Sequence, residues 1–373
     1  MLGGGGARSA YQAGVLAYVG RRLPDIRIPI LTGVSAGAIN VGFIASDTSG
    51  FAHATETLKR KWCTLTTEEV FKSDPASLFW IGIRWLLRLS SGGAGFGPGV
   101  PALVDTRPLH KLLRRWVDTE GIRQNIQRGR LDAVALSALS YQTGRTVTFV
   151  DGSVSAAKLS HGVHHRGVRA HLTVDHIMAS SAIPLLFPAI KLGQQYYGDG
   201  SFRHVAPLSP AIHLGANRIL AISGRYQRSG LEARRPEMLG YPMPARILGV
   251  LFNSVFLDTL EWDAARLERI NQLLAKIPEP DRNQESLRHI DLLVLHPSED
   301  LGRVAAAYEE RLPRTLRFFV RGLGSSATRT SDFISYLLFE SAYIERLIRL
   351  GEHDAERNWP RLSRFLSPVD HPA

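Results

Sequence analysis

Residues 7–23 place Ala7, Ala10, Tyr11, Gly14, Ala17 and Tyr18 at helical spacing, and Pro24 and Asp25 end that run. Ile28–Thr32 follows as an apolar stretch of strand length, and GVSAGAIN at 33–40 opens a second apolar helix. Alternation this tight predicts an α/β protein with a mostly parallel central sheet between two helical layers. Apolar runs predict further strands at Ala133–Leu139, Thr146–Val150, Arg218–Ser223 and Ile290–His296. YYGDGSF at 196–202 reads as a strand ending in a turn. A helix is expected around Pro108–Trp116, and ASSAIPLLFP at 179–188 closes another against a proline-bounded loop. GGAGFGPGVP at 92–101 is a loop, and Ser325–Ser331 is the expected linker within a tail that is helical beyond residue 300. The division expected is one domain over 1–300 and a helical extension over 301–373.

Composition narrows the classes. With 44% hydrophobic and 21% charged residues among 373, the chain can bury a sizeable core and does not read as disordered. Cys63 is the sole cysteine, which excludes an internal disulfide and a cysteine-based zinc site, and points to a reducing, cytoplasmic compartment. The formal charge of +11 draws the protein to polyanions. No zinc-finger or RNA-binding signature is present, so an anionic membrane surface, met peripherally at the inner face, is favoured over nucleic acid. The most apolar run, 78–89, is short and interrupted by Arg84 and Arg88, so no transmembrane helix is expected. Nor does the start read as a secretory signal. Only Met1 and Leu2 precede the first glycine run, so a strand leading into it would lie mostly outside the sequence.

Gly33, Ser35 and Gly37 form G-x-S-x-G between a strand and a small-residue helix. That context makes a nucleophile elbow, whose sharp turn exposes the serine hydroxyl and whose glycines avoid backbone clashes. A serine nucleophile needs donors for a tetrahedral oxyanion. GGGGAR at 3–8 offers the amides of Gly4, Gly5 and Gly6 at a helix N-terminus, with Arg8 to add charge or orient the loop. The competing use of this run, dinucleotide binding, lacks a glycine at Ser9 and an acidic residue closing the second strand. The base is open at this level: a histidine among His204, His213 and His296, with Asp199 as its partner, would serve an α/β-hydrolase.

Three elements in order, GGGGAR at 3–8, GVSAG at 33–37 and DGS at 199–201, resemble the patatin-like phospholipases. ASSAIP at 179–184 and PLSPAIHLGANRILAIS at 207–223 extend the likeness over about residues 3 to 298. The resemblance implies a patatin-like fold and a Ser–Asp dyad acting on lipid esters such as phospholipids. Ser35 would attack the ester, Asp199 would take its proton directly, and Gly4, Gly5 and Gly6 would hold the oxyanion. Gly33, Gly37, Gly200 and Arg8 would support them, with no metal or cofactor. An aspartate of ordinary pKa, about 3.9, is a weak base for this task. Two positions depart from the pattern: Ser9 and Ser201 stand where glycine, or glycine or alanine, is usual. A catalytically silent membrane-associated relative is the other reading.

LFWIGIRWLLRL at 78–89, within 78–100, is expected as a lid or membrane-contact element. Arg311, Arg314, Arg317 and Arg321 beside Phe318 and Phe319 suit a solvated helix face or an anionic-lipid stripe. His161, His164, His165, His171 and His176 lack a recognised metal spacing, and His176 is expected to cap or pack the helix before ASSAIP. Head group, acyl position and oligomeric state have no signature here.

Overall fold

The computed structural model describes residues 1–72, 102–153, 164–234, 241–278, 287–322, 324 and 332–367. The expected lid at 78–100, the loop at 92–101, His161 and the linker at 325–331 lie outside or almost wholly outside the described residues.

The helix predicted over 7–23 is a 3-10 turn, Gly6–Ser9, running into α1, Ala10–Arg22. β1 (Ile30–Val34) leads into α2 (Ala36–Ser46), whose eleven residues are all buried. β2 (Ala133–Ser140), β3 (Thr146–Gly152), β4 (His165–Arg169), β5 (Ile190–Leu192) and β6 (Gln195–Asp199) complete a six-stranded sheet. Its order is β4-β3-β2-β6-β5, with β1 also on β2. β7 (Arg218–Ile222) and β8 (Asp291–Leu295) pair in parallel. Leu2 bridges Gly33 of β1 and Ile222 of β7, tying the pair to the main sheet.

The expectation of a mostly parallel sheet is corrected. β1–β2 and β3–β4 are parallel, but β2–β3, β2–β6 and β5–β6 are antiparallel, so the six-stranded sheet is mixed and mostly antiparallel. The cause is connection length. Residues 141–145 between β2 and β3, and Gly193–Gln194 between β5 and β6, are too short for a crossover and close as hairpins.

Strand alternation sorts the core. Val134, Leu136 and Ala138 of β2 join the large cluster containing α1 and α2, whereas Ala133 and Ala135 turn to Leu214 on the other face. Ile219 and Ala221 of β7 likewise meet Leu208, Leu260 and Leu267, and Ile222 joins the large cluster. Helices thus cover both faces, as sheets with two apolar faces require.

The C-terminal helices are built into this core. α1 packs along the helix Ser341–Arg357 at glycine-to-backbone distance: a Cβ on Gly14 would collide with Ile348 O, and one on Gly351 with Tyr11 O. Tyr11 Oη donates to Asp354 Oδ2 at 3.1 Å. Gly14→Ala must push the two helices apart. We expect it to cost about 1–3 kcal/mol by overpacking, seen as a lowered Tm in calorimetry.

Candidate active site

β2 brings the two candidate residues together. β1 runs parallel to it and ends with Val34 opposite Ser137, while β6 runs antiparallel and ends with Asp199 opposite Ala138. The two strands approach the same point on one edge of β2 from opposite directions. Ser35, one residue past β1, therefore meets Asp199. Gly200 lets the ends close, since a Cβ there would collide with Ser137 O and lie 2.9 Å from Val34 Cγ2.

Ser35 holds φ 55° and ψ −133° between β1 and α2 and is one of two described non-glycine residues with positive φ. Such a conformation costs about 1–3 kcal/mol and persists only where the surroundings impose it. A Cβ on Gly33 would fall 2.7 Å from Gly37 O, and one on Gly37 would collide with Leu2 O. The strand, turn and helix close only with glycine at both places.

ASSAIP, which the sequence marks without assigning a task, holds both backbones. The Ser35 amide donates to Ser180 Oγ at 3.1 Å, and Ser180 Oγ donates to Ser137 O at 2.7 Å. Ser181 Oγ donates to Ser35 O at 3.0 Å, and the Asp199 amide donates to Ala182 O at 2.7 Å. Three consecutive residues thus fix serine and aspartate against each other. His176 Nδ1 accepts from the Thr173 amide at 3.1 Å, capping the helix Val174–Ser181 that carries them.

Asp199 is fully buried. Burial pushes its carboxyl up to about 7, against the smaller opposing effects of the Ser35 hydroxyl and of the Ser201 amide and hydroxyl. Oδ1 accepts from the Ser201 amide at 2.9 Å. Oδ2 has no well-formed hydrogen bond among the described residues. The Ser35 hydroxyl is near enough to favour the ionised carboxylate.

The glycine run lies against this pair. A Cβ on Gly4 would sit 2.9 Å from Ser35 Cβ and 2.7 Å from Ser201 Oγ. Among the described residues no hydrogen bond is donated by the amides of Gly4, Gly5 or Gly6, and Gly4 and Gly5 are buried. Buried amides without partners are costly and mark a place for an anion. Side chains hold the loop from behind. Gln12 Nε2 donates to Gly3 O at 2.9 Å, and Asn40 Nδ2 donates to Ser9 O at 3.2 Å.

Arg8 orients the loop. Its guanidinium is buried, donating to Ser335 Oγ at 2.6 Å and Asp332 Oδ1 at 3.0 Å, and it lies 4.4 Å over the Tyr336 ring. A Cβ on Gly6, which has φ +54°, would collide with Tyr336 O. Asp332, Ser335 and Tyr336 come from the tail, more than 300 residues away, and no local signal in the sequence links them to the glycine run.

Ser35 forms one wall of a cavity otherwise lined largely by apolar side chains, including Trp62, Leu109, Leu113 and Phe187. The candidate histidines do not line it. His204 is buried, with neither ring nitrogen bonded among the described residues, and burial, then His165, pushes its pKa down to about 3. His296 Nδ1 is 3.5 Å from Glu261, and His213 ends the helix Ser209–His213. Among the described residues no group of three metal-ligating side chains forms, and no helix is long and apolar enough to cross a membrane.

A family model described as patatin-like phospholipase matches residues 1–212. No curated protein matches. The solved structure of VipD from Legionella pneumophila is 11% identical over 93% of this chain and 66% of that one, with a TM-score of 0.29.

Proposed function

The chain belongs to the patatin-like phospholipase family, and on that premise we propose that it hydrolyses carboxylic esters of lipids through a Ser35–Asp199 dyad. The observation that carries the proposal is the meeting of β1 and β6 on β2, which sets a strained serine beside a buried carboxylate poised at about 7. A base with its pKa near the working pH combines a usable ionised fraction with basicity. Burial thereby supplies what an aspartate of ordinary pKa lacks.

Ser35 Oγ attacks the ester carbonyl as Asp199 takes its proton, and the amides of Gly4, Gly5 and Gly6 receive the oxyanion. As the tetrahedral intermediate collapses, Asp199 returns the proton to the leaving alcohol. Water, giving its proton to Asp199, then attacks the acyl-serine, and collapse releases the acid and restores both side chains. The apolar cavity beside Ser35 suits an acyl chain, which supports a lipid ester over a small polar one. The head group belongs to a phospholipid or another lipid in this proposal, and the layered patatin-like domain over 1–300 is its scaffold.

Hydrolysis of a short-chain ester and of phospholipid vesicles by wild type, Ser35→Ala and Asp199→Asn tests the proposal. Loss of turnover in both folded variants supports it, and full activity in Asp199→Asn refutes it. Because only ionised Asp199 accepts the proton, kcat/KM is expected to rise tenfold per pH unit below about 7 and to level off above it. Replacing His204, His213 or His296 singly is expected to keep activity within a few-fold of wild type. Losing a true general base would remove about 10²–10⁴-fold.

A further inference from the structure

The helix Pro244–Asn253 presents its outward side without charge. Its sequence, PARILGVLFN, holds one charged residue, Arg246, and that side chain turns inward to Asp332 Oδ2 at 3.0 Å. Ala245 and Gly249 form the buried side, where a Cβ on Gly249 would lie 2.8 Å from Asp332 Cβ. Met243, Ile247, Val250 and Leu251 follow helical spacing on the outer side and are 43%, 43%, 50% and 53% exposed. Farther along the same helical run Trp262, 77% exposed, shares a groove with Val250, in which Arg225 is paired with Asp258 and Arg228 with Asp300. A solvated helix places charged residues at such positions, and a contiguous apolar stripe marks a contact surface.

A basic helix abuts the start of this stripe. Arg314–Gly322 buries Leu316 and Val320 and holds Phe318 82% exposed, with Arg314 four residues before it and Arg321 three residues after, both exposed. Two residues past its end, a Cβ on Gly324 would lie 2.7 Å from Met243 Cβ. An aromatic tip between arginines, beside an uncharged apolar stripe, has the make-up of a surface that rests in a lipid interface. A second copy of the chain fits less well, because it would bring another +11 of formal charge against the same arginines, whereas an anionic bilayer neutralises them.

We propose that the stripe Met243–Leu251, with Phe318 and its flanking arginines, is the surface by which this protein docks on an anionic lipid bilayer. The proposal rests on the lipid-ester reading only for its biological sense, since docking is measured without turnover. The surface lies next to the site. The helical run that carries the stripe continues to Phe256, whose ring would be 2.8 Å from a Cβ on Gly4, and Asp332 links Arg246 to Arg8 of the glycine loop.

Co-sedimentation with phosphatidylcholine vesicles, with and without 20 mol% phosphatidylglycerol, tests it. Short-chain ester hydrolysis serves as the folding control, or circular dichroism if the wild type is inert. Wild type is expected to bind the anionic vesicles and to release them in high salt. Val250→Glu with Leu251→Glu should weaken binding at least tenfold, and Arg314→Gln with Arg321→Gln by about fivefold per arginine, with the soluble rate unchanged in both. Equal binding by wild type and both variants overturns the proposal. So does light scattering that shows a wild-type dimer made monomeric by Val250→Glu with Leu251→Glu. Vesicle binding by an enzyme inert on every ester would leave this surface standing and defeat the hydrolase reading instead.

Discussion

Asp199→Asn is expected to lower ester hydrolysis by about 10⁴-fold and, above pH 7, to give a protein more stable than wild type. Both effects come from one buried carboxylate. Asparagine keeps the shape and can still accept from the Ser201 amide, but it takes no proton from Ser35. The folded carboxyl titrates at about 7 and the unfolded one near 3.8. Below the unfolded value both states hold the proton, and wild type has its full stability from this group. Between the two values the unfolded chain releases its proton while the folded one retains it, so stability falls as pH rises. Above about 7 the loss is complete, at about 4 kcal/mol. The variant carries no such charge, so its advantage should grow from about pH 4 to pH 7 and then stay constant. Denaturant titrations of both proteins at pH 5 and pH 8 read this directly. An equal difference at the two pH values would show that Asp199 is not poised as described.

The second large effect is expected far from the chemistry. Asp332→Ala leaves Arg8 and Arg246 without their shared carboxylate, with Arg8 among the most buried charged side chains described. Removing one partner of a buried ion pair costs about 3–5 kcal/mol, because a charge is stranded where water cannot reach it. The strain falls on the glycine loop, since Arg8 anchors it to Ser335 and Tyr336. Amides displaced by about an ångström stop matching the oxyanion, and kcat should fall about 10²–10³-fold. KM for a short soluble ester should change little, since the apolar cavity beside Ser35 is not built from Asp332. Arg8→Ala combined with Asp332→Ala should be less damaging than the sum of the single changes, because no charge then remains unmatched between those two. Additive losses would mean that the pair does not act as a unit.

Much of this arrangement is legible in the residues themselves. Strands at Ala133, Thr146, Arg218 and Asp291 begin within a residue of where their apolar runs place them, because both faces of the sheet are covered and each strand is built on a run rich in apolar residues. Gly33 and Gly37 are readable as steric necessities, and the structure shows the atoms a Cβ would strike. β4, by contrast, is HRGVR, with no apolar alternation and partial exposure along its length, so its residues carry no strand signal. The parallel expectation failed because no helix separates β2 from β3, and a connection confined to 141–145 fixes their antiparallel sense. The poise of Asp199 could not be read at all. An Asp-Gly turn signals a surface, and only tertiary burial turns it into a base near neutrality. The anchoring of Arg8 was hidden for the same reason, since its partners lie at the other end of the chain.

The most direct test of the dyad is the rate of inactivation by a fluorophosphonate between pH 5 and 9, with the adduct located by peptide mass spectrometry. A single adduct on Ser35 is expected, forming at a rate that climbs with pH to a plateau and has its midpoint near 7. An adduct on another serine, or none in a protein that hydrolyses esters, would contradict it. So would a rate on Ser35 that shows no inflection near 7.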